Sequence, residues 1–518
     1  MEERKGRGCV PLFHDNSRSF LLTLVVLVFA SYPGFYPKTS LGGLELLRAL
    51  SAFASKPSAG LSVALATNVC VDLVVPAGDV MPSFFTASTV ASDRAFLGTT
   101  EDAAGAFLHH ARLGAAGERS SSAAVMGALL VPAYASPSAR ALLGGNAALM
   151  ATKLAKLGVS VVLGGRIGPK AASLLHANIH PAAPTAAEDD THLILEYKAG
   201  ETFAGDGGAG APRANRFIIT SGVPGEAPAA LAEALGAASH RGAHVVVLSG
   251  LHALENIPGE ERRATLEGIA GALRGRTPAT LPVHVELASV ATEAFLREVH
   301  QTILLPHAAS LGFNEGETAA LYEAVGGTYG APGTPKDRAE LTGLVPKVAG
   351  VSSALRFLFR AMPKLTRAHF HSLAHHVIAH RTVRDGEGAT VSTAHPWAPH
   401  PARAAAAGAL ACAEQACDTT AESALPEHFY TLCPTKLGVG DTEVGSGVSS
   451  VRRLTLEQPW AAWSWPLDRN SSTMAQGLGG EAVEFAAVPV PVCASPTRTV
   501  GLGDAVSAAA LAADILVA

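Results

Sequence analysis

The 518-residue sequence predicts an α/β fold in which a central, mainly parallel sheet lies between layers of helices, with a small β-rich lid outside it. Two observations carry that reading. Strand-sized apolar runs alternate with helix-length amphipathic segments along most of the chain, and a second set of extended segments falls outside the alternation.

The core strands are expected at residues 61–66, 159–163, 245–248 and 283–287, and the helices at 145–156, 228–238, 262–274, 315–324, 367–380 and 504–516. The extended segments 71–76 and 192–197 form the separate sheet, whose natural place is over a cleft. Polar or Gly/Pro-rich stretches at 200–213, 326–337, 385–401 and 438–450 read as surface loops or insertions, because the alternation resumes after each. No internal repeat is visible. The chain therefore divides into 1–30, an N-terminal linker or helix at 31–60, and one large domain at 61–518 with a discontinuous lid at about 72–135 and 186–222.

Residues 1–30 read as a signal segment. Lys5, Arg7 and Arg18 precede an apolar run at 20–30, shorter than the roughly 20 residues of a spanning helix, and Val28 and Ala30 supply small residues for cleavage before Ser31. The expectation is entry into the secretory pathway, to the endoplasmic-reticulum lumen or beyond; an uncleaved anchor or a buried helix are the alternatives. No second apolar run of spanning length follows, so no stable membrane partner is expected beyond that segment.

Composition narrows the partner class. Apolar residues make up 48% of the chain, enough for a sizeable core, and 39 basic against 44 acidic side chains with no long basic run give no nucleic-acid footprint. A small-molecule partner and a monomeric chain are expected. The six cysteines, at 9, 70, 412, 417, 433 and 493, lack the paired spacing of a structural zinc site. In an oxidising lumen they allow a bridge among Cys412, Cys417, Cys433 and Cys493; otherwise they are free thiols. The sequon at Asn470 fits a surface loop.

The chemistry-bearing segment is Thr499-Val500-Gly501-Leu502-Gly503-Asp504, which follows an apolar run at 486–492 and opens an Ala-rich helix. Gly501 and Gly503 expose backbone N–H groups at a helix start, where an anion is favoured. Asp504 stands beside that anion hole and can accept a proton from an attacking hydroxyl; an ordinary glycine turn with Asp504 as helix cap is the plainer reading. Together with Arg498 and Ala505, the segment resembles the catalytic motif of the ribokinase superfamily, in the form carried by eukaryotic ADP-dependent glucokinases.

Two further signatures of that family appear upstream in order. Val283-His284-Val285-Glu286 is similar to its HxE motif, with His284 and Glu286 on one face of a strand. Asn314-Glu315-Gly316-Glu317 is similar to its NxxE motif, in which Asn314 and Glu317 serve the nucleotide phosphates, though an Asn cap with a first-turn Glu is also common in helices. The resemblance implies Mg2+ held by Glu286, Glu317 and Asp504, with ADP as co-substrate.

On the sugar side, Asn68-Val69-Cys70-Val71-Asp72 resembles the substrate-binding turn, with Asp72 bonding sugar hydroxyls; Cys70 stands where archaeal relatives commonly carry Asn. Gly144-Gly145-Asn146 resembles the GGN segment, implying sugar contacts by Gly145 and Asn146. Glu118, His192 and Glu196 match lid residues that meet the sugar, and Arg216 matches a lid arginine that reaches the phosphates, although lid charges often simply face solvent. The adenine pocket is expected in the divergent stretches 385–401 and 438–450. The His-rich run 369–376 invites a metal reading, but Phe370 and Leu373 at core spacing read as a structural helix.

The implied fold is ribokinase-like, three-layered α/β/α. The implied reaction is phosphoryl transfer from ADP to the 6-hydroxyl of glucose. An ADP-dependent phosphofructokinase, an ATP-using ribokinase relative, and an inactive sugar-sensing protein of the secretory pathway are the alternatives.

Overall fold

The computed structural model describes residues 41–204, 210–221, 226–255, 257–276, 281–288, 292–384, 390–393, 397–439, 451–467, 480–497 and 501–517. The N-terminal signal segment, Cys9, Asn470, most of 438–450, and the residues 498–500 that lead into the glycine motif lie outside them.

Seven strands run parallel at the centre, in the order Ile179–Pro181, Ser160–Leu163, Ser62–Thr67, Val245–Ser249, Val283–Glu286, Ala308–Asn314, Arg367–His371. Antiparallel strands His375–Arg384, Gly480–Pro489 and Ala461–Pro466 extend the sheet, and Thr390–Thr393 pairs off His375–Arg384. Strand alternation makes the three layers. Ala64, Ala66, Val246 and Leu248 face helices that present Leu231, Leu235, Leu266 and Ile269. Val63, Leu65, Val161 and Val247 face the opposite layer, formed by helices Asn146–Lys156 and Leu502–Asp514. Burial on both faces is why these strands read as unbroken apolar runs.

The expected second sheet is present. Six strands in the order Phe96–Leu97, Gly117–Ser121, Asn215–Thr220, Thr191–Tyr197, Cys70–Pro76, Arg140–Gly144 form it, with Cys70–Pro76 and Thr191–Tyr197 parallel neighbours. Helices Thr100–Leu113 and Ala123–Ala135 cover one face around Phe107, whose ring meets Tyr197, Phe203 and Phe217 edge-on. Among the cysteines, Cys417 and Cys493 are bridged, joining the end of helix Pro401–Cys417 to the strand before the glycine motif, while Cys70, Cys412 and Cys433 are free.

One expectation is corrected. Residues 367–380 are not a helix but the antiparallel hairpin Arg367–His371 and His375–Arg384. The period is two: Ala368 and Phe370 join the core on one side, while the His369 and His376 rings meet at 5.3 Å. Ser372 closes the turn, its Oγ donating to the His375 carbonyl.

The hairpin has a cost in acid. His369, His375 and His376 are fully buried, and both ring nitrogens of His369 and His375 lack partners among the described residues. Burial holds all three below the usual histidine range, His375 at about 4. The unfolded chain protonates these rings near pH 6.5, so the stability that depends on their neutrality is complete above that pH and drains away as pH falls towards the folded values. His375 alone is expected to cost about 2 kcal/mol between pH 7 and 5. Urea unfolding of wild type and His375→Gln across that range checks this; equal pH slopes for the two would refute it.

Candidate active site

Five neighbouring parallel strands deliver polar groups to one edge of the sheet. Ser62–Thr67 runs into Asn68, Val245–Ser249 into Gly250, and the next three strands end in Glu286, Asn314 and His371. This is the carboxyl edge, where open α/β sheets bind ligands. Helix Leu502–Asp514 starts there too. Its cap, Gly501, has a left-handed backbone (φ 69°) that a side chain would strain, and this turns the first helical amides towards the same edge.

Asp504 is 7% exposed in the first turn of that helix. Asn146 Nδ2 donates to its Oδ1 at 3.1 Å, and Asn68 Nδ2 donates to Asn146 Oδ1 at 3.4 Å. Burial, assisted by the charge of Glu286, lifts the Asp504 carboxyl to about 7 despite the Asn146 bond. Residues 358 positions apart are thus hydrogen-bonded at the point where proton acceptance is expected.

Glu286 is 3% exposed. His371 Nε2 lies 3.4 Å from its Oε1, and His284 Nε2 lies 3.4 Å from its Oε2 without hydrogen-bonding alignment. Burial alone would raise this carboxyl, but the two imidazoles outweigh it and hold it at about 2. Asn314 and Glu317 form a reciprocal capping box: Glu317 Oε2 accepts from Asn314 N at 2.9 Å, and Glu317 N donates to Asn314 Oδ1 at 2.9 Å. Burial, with Glu286 and Glu315 nearby, still pushes Glu317 up to about 8. The plain capping role and a place in the acidic cluster therefore hold together.

His371 and Glu315 are the functional candidates that sequence reasoning missed. Burial opposes the His371 charge, yet Glu286, Glu317 and Glu315 raise its affinity for a proton. The available signal was the period-two alternation through 367–371. The cluster suits a hard divalent cation: buried carboxylates repel one another, and Glu286 Oε2 has no hydrogen-bond partner among the described residues.

The second sheet carries the sugar-side candidates. Cys70 and Asp72 share a face of strand Cys70–Pro76, and His192 stands opposite Asp72 in register. Gly144 pairs with Cys70, and a methyl group there would come within 2.2–2.5 Å of the Asp72 carboxyl atoms, so the glycine makes room for the acid. Gly145, at φ 82°, turns the chain into the Asn146 helix. Burial raises Asp72, offset by His192 and Arg216 and reinforced by Glu118, which gathers three residues of the second sheet within electrostatic reach of it. Glu196 is not gathered: it lies four residues, about 13 Å, further along the His192 strand and pairs at 3.2 Å with Arg140, both well exposed.

Residues 61–513 match the ADP-specific phosphofructokinase/glucokinase conserved region. The chain belongs to this family. Within the ADP-specific phosphofructokinase/glucokinase group, it is 32% identical over 459 residues to an ADP-dependent glucokinase of Bos taurus, covering 87% of this chain and 83% of that one. It is 29% identical over 456 residues to a probable ADP-dependent glucokinase of Caenorhabditis elegans, covering 86% and 83%. Among solved structures, a hypothetical ADP-dependent phosphofructokinase from Pyrococcus horikoshii superposes with a TM-score of 0.60 at 16% identity, covering 88% of this chain and 97% of that one. An ADP-dependent kinase in complex with fructose 6-phosphate and ADPβS gives 0.55 at 17%, covering 91% and 97%. At those identities the likeness speaks for the fold alone, a sheet between two layers of helices as the sequence predicts.

Proposed function

We propose that the protein is an ADP-dependent glucokinase, transferring the β-phosphoryl group of ADP to the 6-hydroxyl of glucose to give AMP and glucose 6-phosphate. The observation that carries the reading is the Asn68–Asn146–Asp504 chain of hydrogen bonds, which joins the Asp72 side of the lid to the helix start and the acidic cluster. Asp504 accepts the hydroxyl proton, and the Gly501 and Gly503 turn faces the transferring phosphoryl group. Glu286, Glu317 and Asp504 are the residues that would hold Mg2+, which when bound neutralises charge on the phosphate oxygens. Arg216 serves the phosphates, and lid closure excludes water.

Charge favours an unphosphorylated sugar. Asp72, Glu118 and Asp190 surround His192 and Cys70, leaving Arg216 as the arginine whose charge reaches Asp72. A sugar phosphate would meet repulsion there. The test offers ADP or ATP as donor and glucose or fructose 6-phosphate as acceptor to the purified protein. ADP with glucose is expected to dominate; ATP-only turnover would sink the donor, and inactivity with every pair would favour a sensing role.

Gly144→Ala is expected to displace Asp72 and raise the KM for glucose about 10- to 100-fold while the KM for ADP changes little. Steady-state kinetics with each substrate varied will decide, and an unchanged glucose KM would remove Asp72 from the sugar site.

We also propose that the protein works as a monomer in the secretory pathway after cleavage before Ser31. The Cys417–Cys493 bridge supports the compartment, since such bonds persist in oxidising surroundings. Among the described residues no helix is long and apolar enough to cross a membrane. N-terminal sequencing that began at Met1 would reject the cleavage.

A further inference from the structure

The lid strands bring three unlike metal ligands together at the mouth of the proposed sugar site. Cys70 Sγ lies 3.4 Å from Asp72 Oδ1 and 3.4 Å from His192 Nδ1, and the last two are 3.8 Å apart. All three atoms fall within 4.8 Å of one another. The arrangement follows from strand geometry: Cys70 and Asp72 alternate onto one face, and His192 is the register partner of Asp72 on the neighbouring strand.

The two 3.4 Å spacings are those of a zinc site, and the 3.8 Å edge between Asp72 and His192 would close slightly around the ion. Zinc bonds of about 2.3 Å to sulfur and about 2.0–2.1 Å to nitrogen or oxygen set the edges of a tetrahedron at about 3.3–3.6 Å. A thiol with an imidazole and a carboxylate selects a borderline-soft ion over Mg2+, which keeps to oxygen. With Nδ1 turned to Cys70, His192 Nε2 lies 3.9 Å from Asp190 Oδ2, a carboxylate placed to orient a ligating imidazole once the two draw into hydrogen-bond range. Asp190 is itself held, its carbonyl accepting from Val71 N at 2.7 Å.

We propose that Cys70, Asp72 and His192 bind Zn2+ in the lid, in competition with the sugar, and so make the enzyme zinc-inhibitable. The competition rests on the placement of glucose at Asp72; the metal site does not. Three protein ligands leave the fourth position to water. Zinc takes the thiolate and not the thiol, so the ion must displace the Cys70 proton, and binding tightens as pH rises.

The experiment titrates Zn2+ into chelator-treated full-length protein against a fluorescent zinc indicator, with and without saturating glucose, for wild type, Cys70→Ser and His192→Ala. Melting temperatures check that both variants fold. One equivalent is expected to bind the wild type, with affinity weakened in either variant by more than the roughly 10- to 100-fold that loss of a supporting residue costs, and weakened by glucose. Co2+ is expected to give a thiolate charge-transfer band that Cys70→Ser lacks. No stoichiometric binding, or equal binding by folded Cys70→Ser, would overturn the site. Binding that needs Cys70 but ignores glucose, in protein that still phosphorylates glucose, would sustain the metal site and overturn both the competition and the placement of the sugar at Asp72.

Discussion

Asp504→Asn is expected to lower kcat for glucose phosphorylation by about 10²- to 10⁴-fold, the range removed with a positioned proton acceptor. The substitution is close to a pure chemical test. Asn keeps an oxygen that can accept from Asn146 Nδ2, now 3.1 Å from Asp504 Oδ1, and it relieves the repulsion between Asp504 and Glu286. Folding and the KM for glucose should therefore hold while the proton has nowhere to go. Because burial sets the Asp504 carboxyl at about 7, the group is protonated and inactive below that pH. Wild-type kcat/KM is expected to fall on the acid side of neutrality, at lower pH where a cation shares the site, and the residual activity of the variant is expected to lack that limb. A loss of less than tenfold in a folded variant would move the proton acceptor elsewhere.

The second large effect is on stability. Asp514 ends the helix whose first turn carries Asp504, and Arg367 begins the strand that His371 ends. The two form a fully buried ion pair through Arg367 Nε, and His380 Nε2 lies 2.9 Å from the same Asp514 oxygen. Arg367 Nη1 also donates to Ser310 Oγ at 3.2 Å, and that hydroxyl is 2.8 Å from His284 Nδ1, one ring away from Glu286. The clamp therefore fixes helix, strand and acidic cluster in one alignment. Asp514→Asn strands the guanidinium without a counter-charge and is expected to cost about 3–5 kcal/mol. Denaturant unfolding at pH 7 measures it. The Asp514→Leu, Arg367→Met double variant removes both charges and is expected to recover most of the loss, which separates an orphaned charge from simple misfit. Burial opposes the Asp514 charge, but His380 and Arg367 outweigh it and hold the carboxyl below its ordinary range, so its contribution is present above about pH 4 and fades as pH falls through the folded value. A single variant within 1 kcal/mol of wild type would refute the clamp.

Both effects depend on contacts between distant segments, and that marks the limit of reading from sequence. The strands through Val63, Val246 and Val285 were legible because burial on both faces leaves an unbroken apolar run. The Asn314–Glu317 helix start was legible because a capping box is local, closing within four residues. The hairpin at 367–384 was misread: its histidines look polar in sequence, and only burial among sheet and helices turns them into packed rings. Glu196 could not be separated from His192, since both alternate onto one face and only the pairing with Arg140 shows which leaves the site.

The sequence by itself determined the layered α/β fold, the helix starts that carry Asp504 and Asn314, and the strand end that carries Glu286, because periodicity and capping act over a few residues. Tertiary structure alone decided that Asn146 bonds Asp504, that His371 sits against Glu286, that Cys417 takes Cys493 as its partner, and that Cys70 and Asp72 meet His192. Those choices rest on strand register and helix docking, which minimise exposed apolar area over the whole chain and leave no local trace.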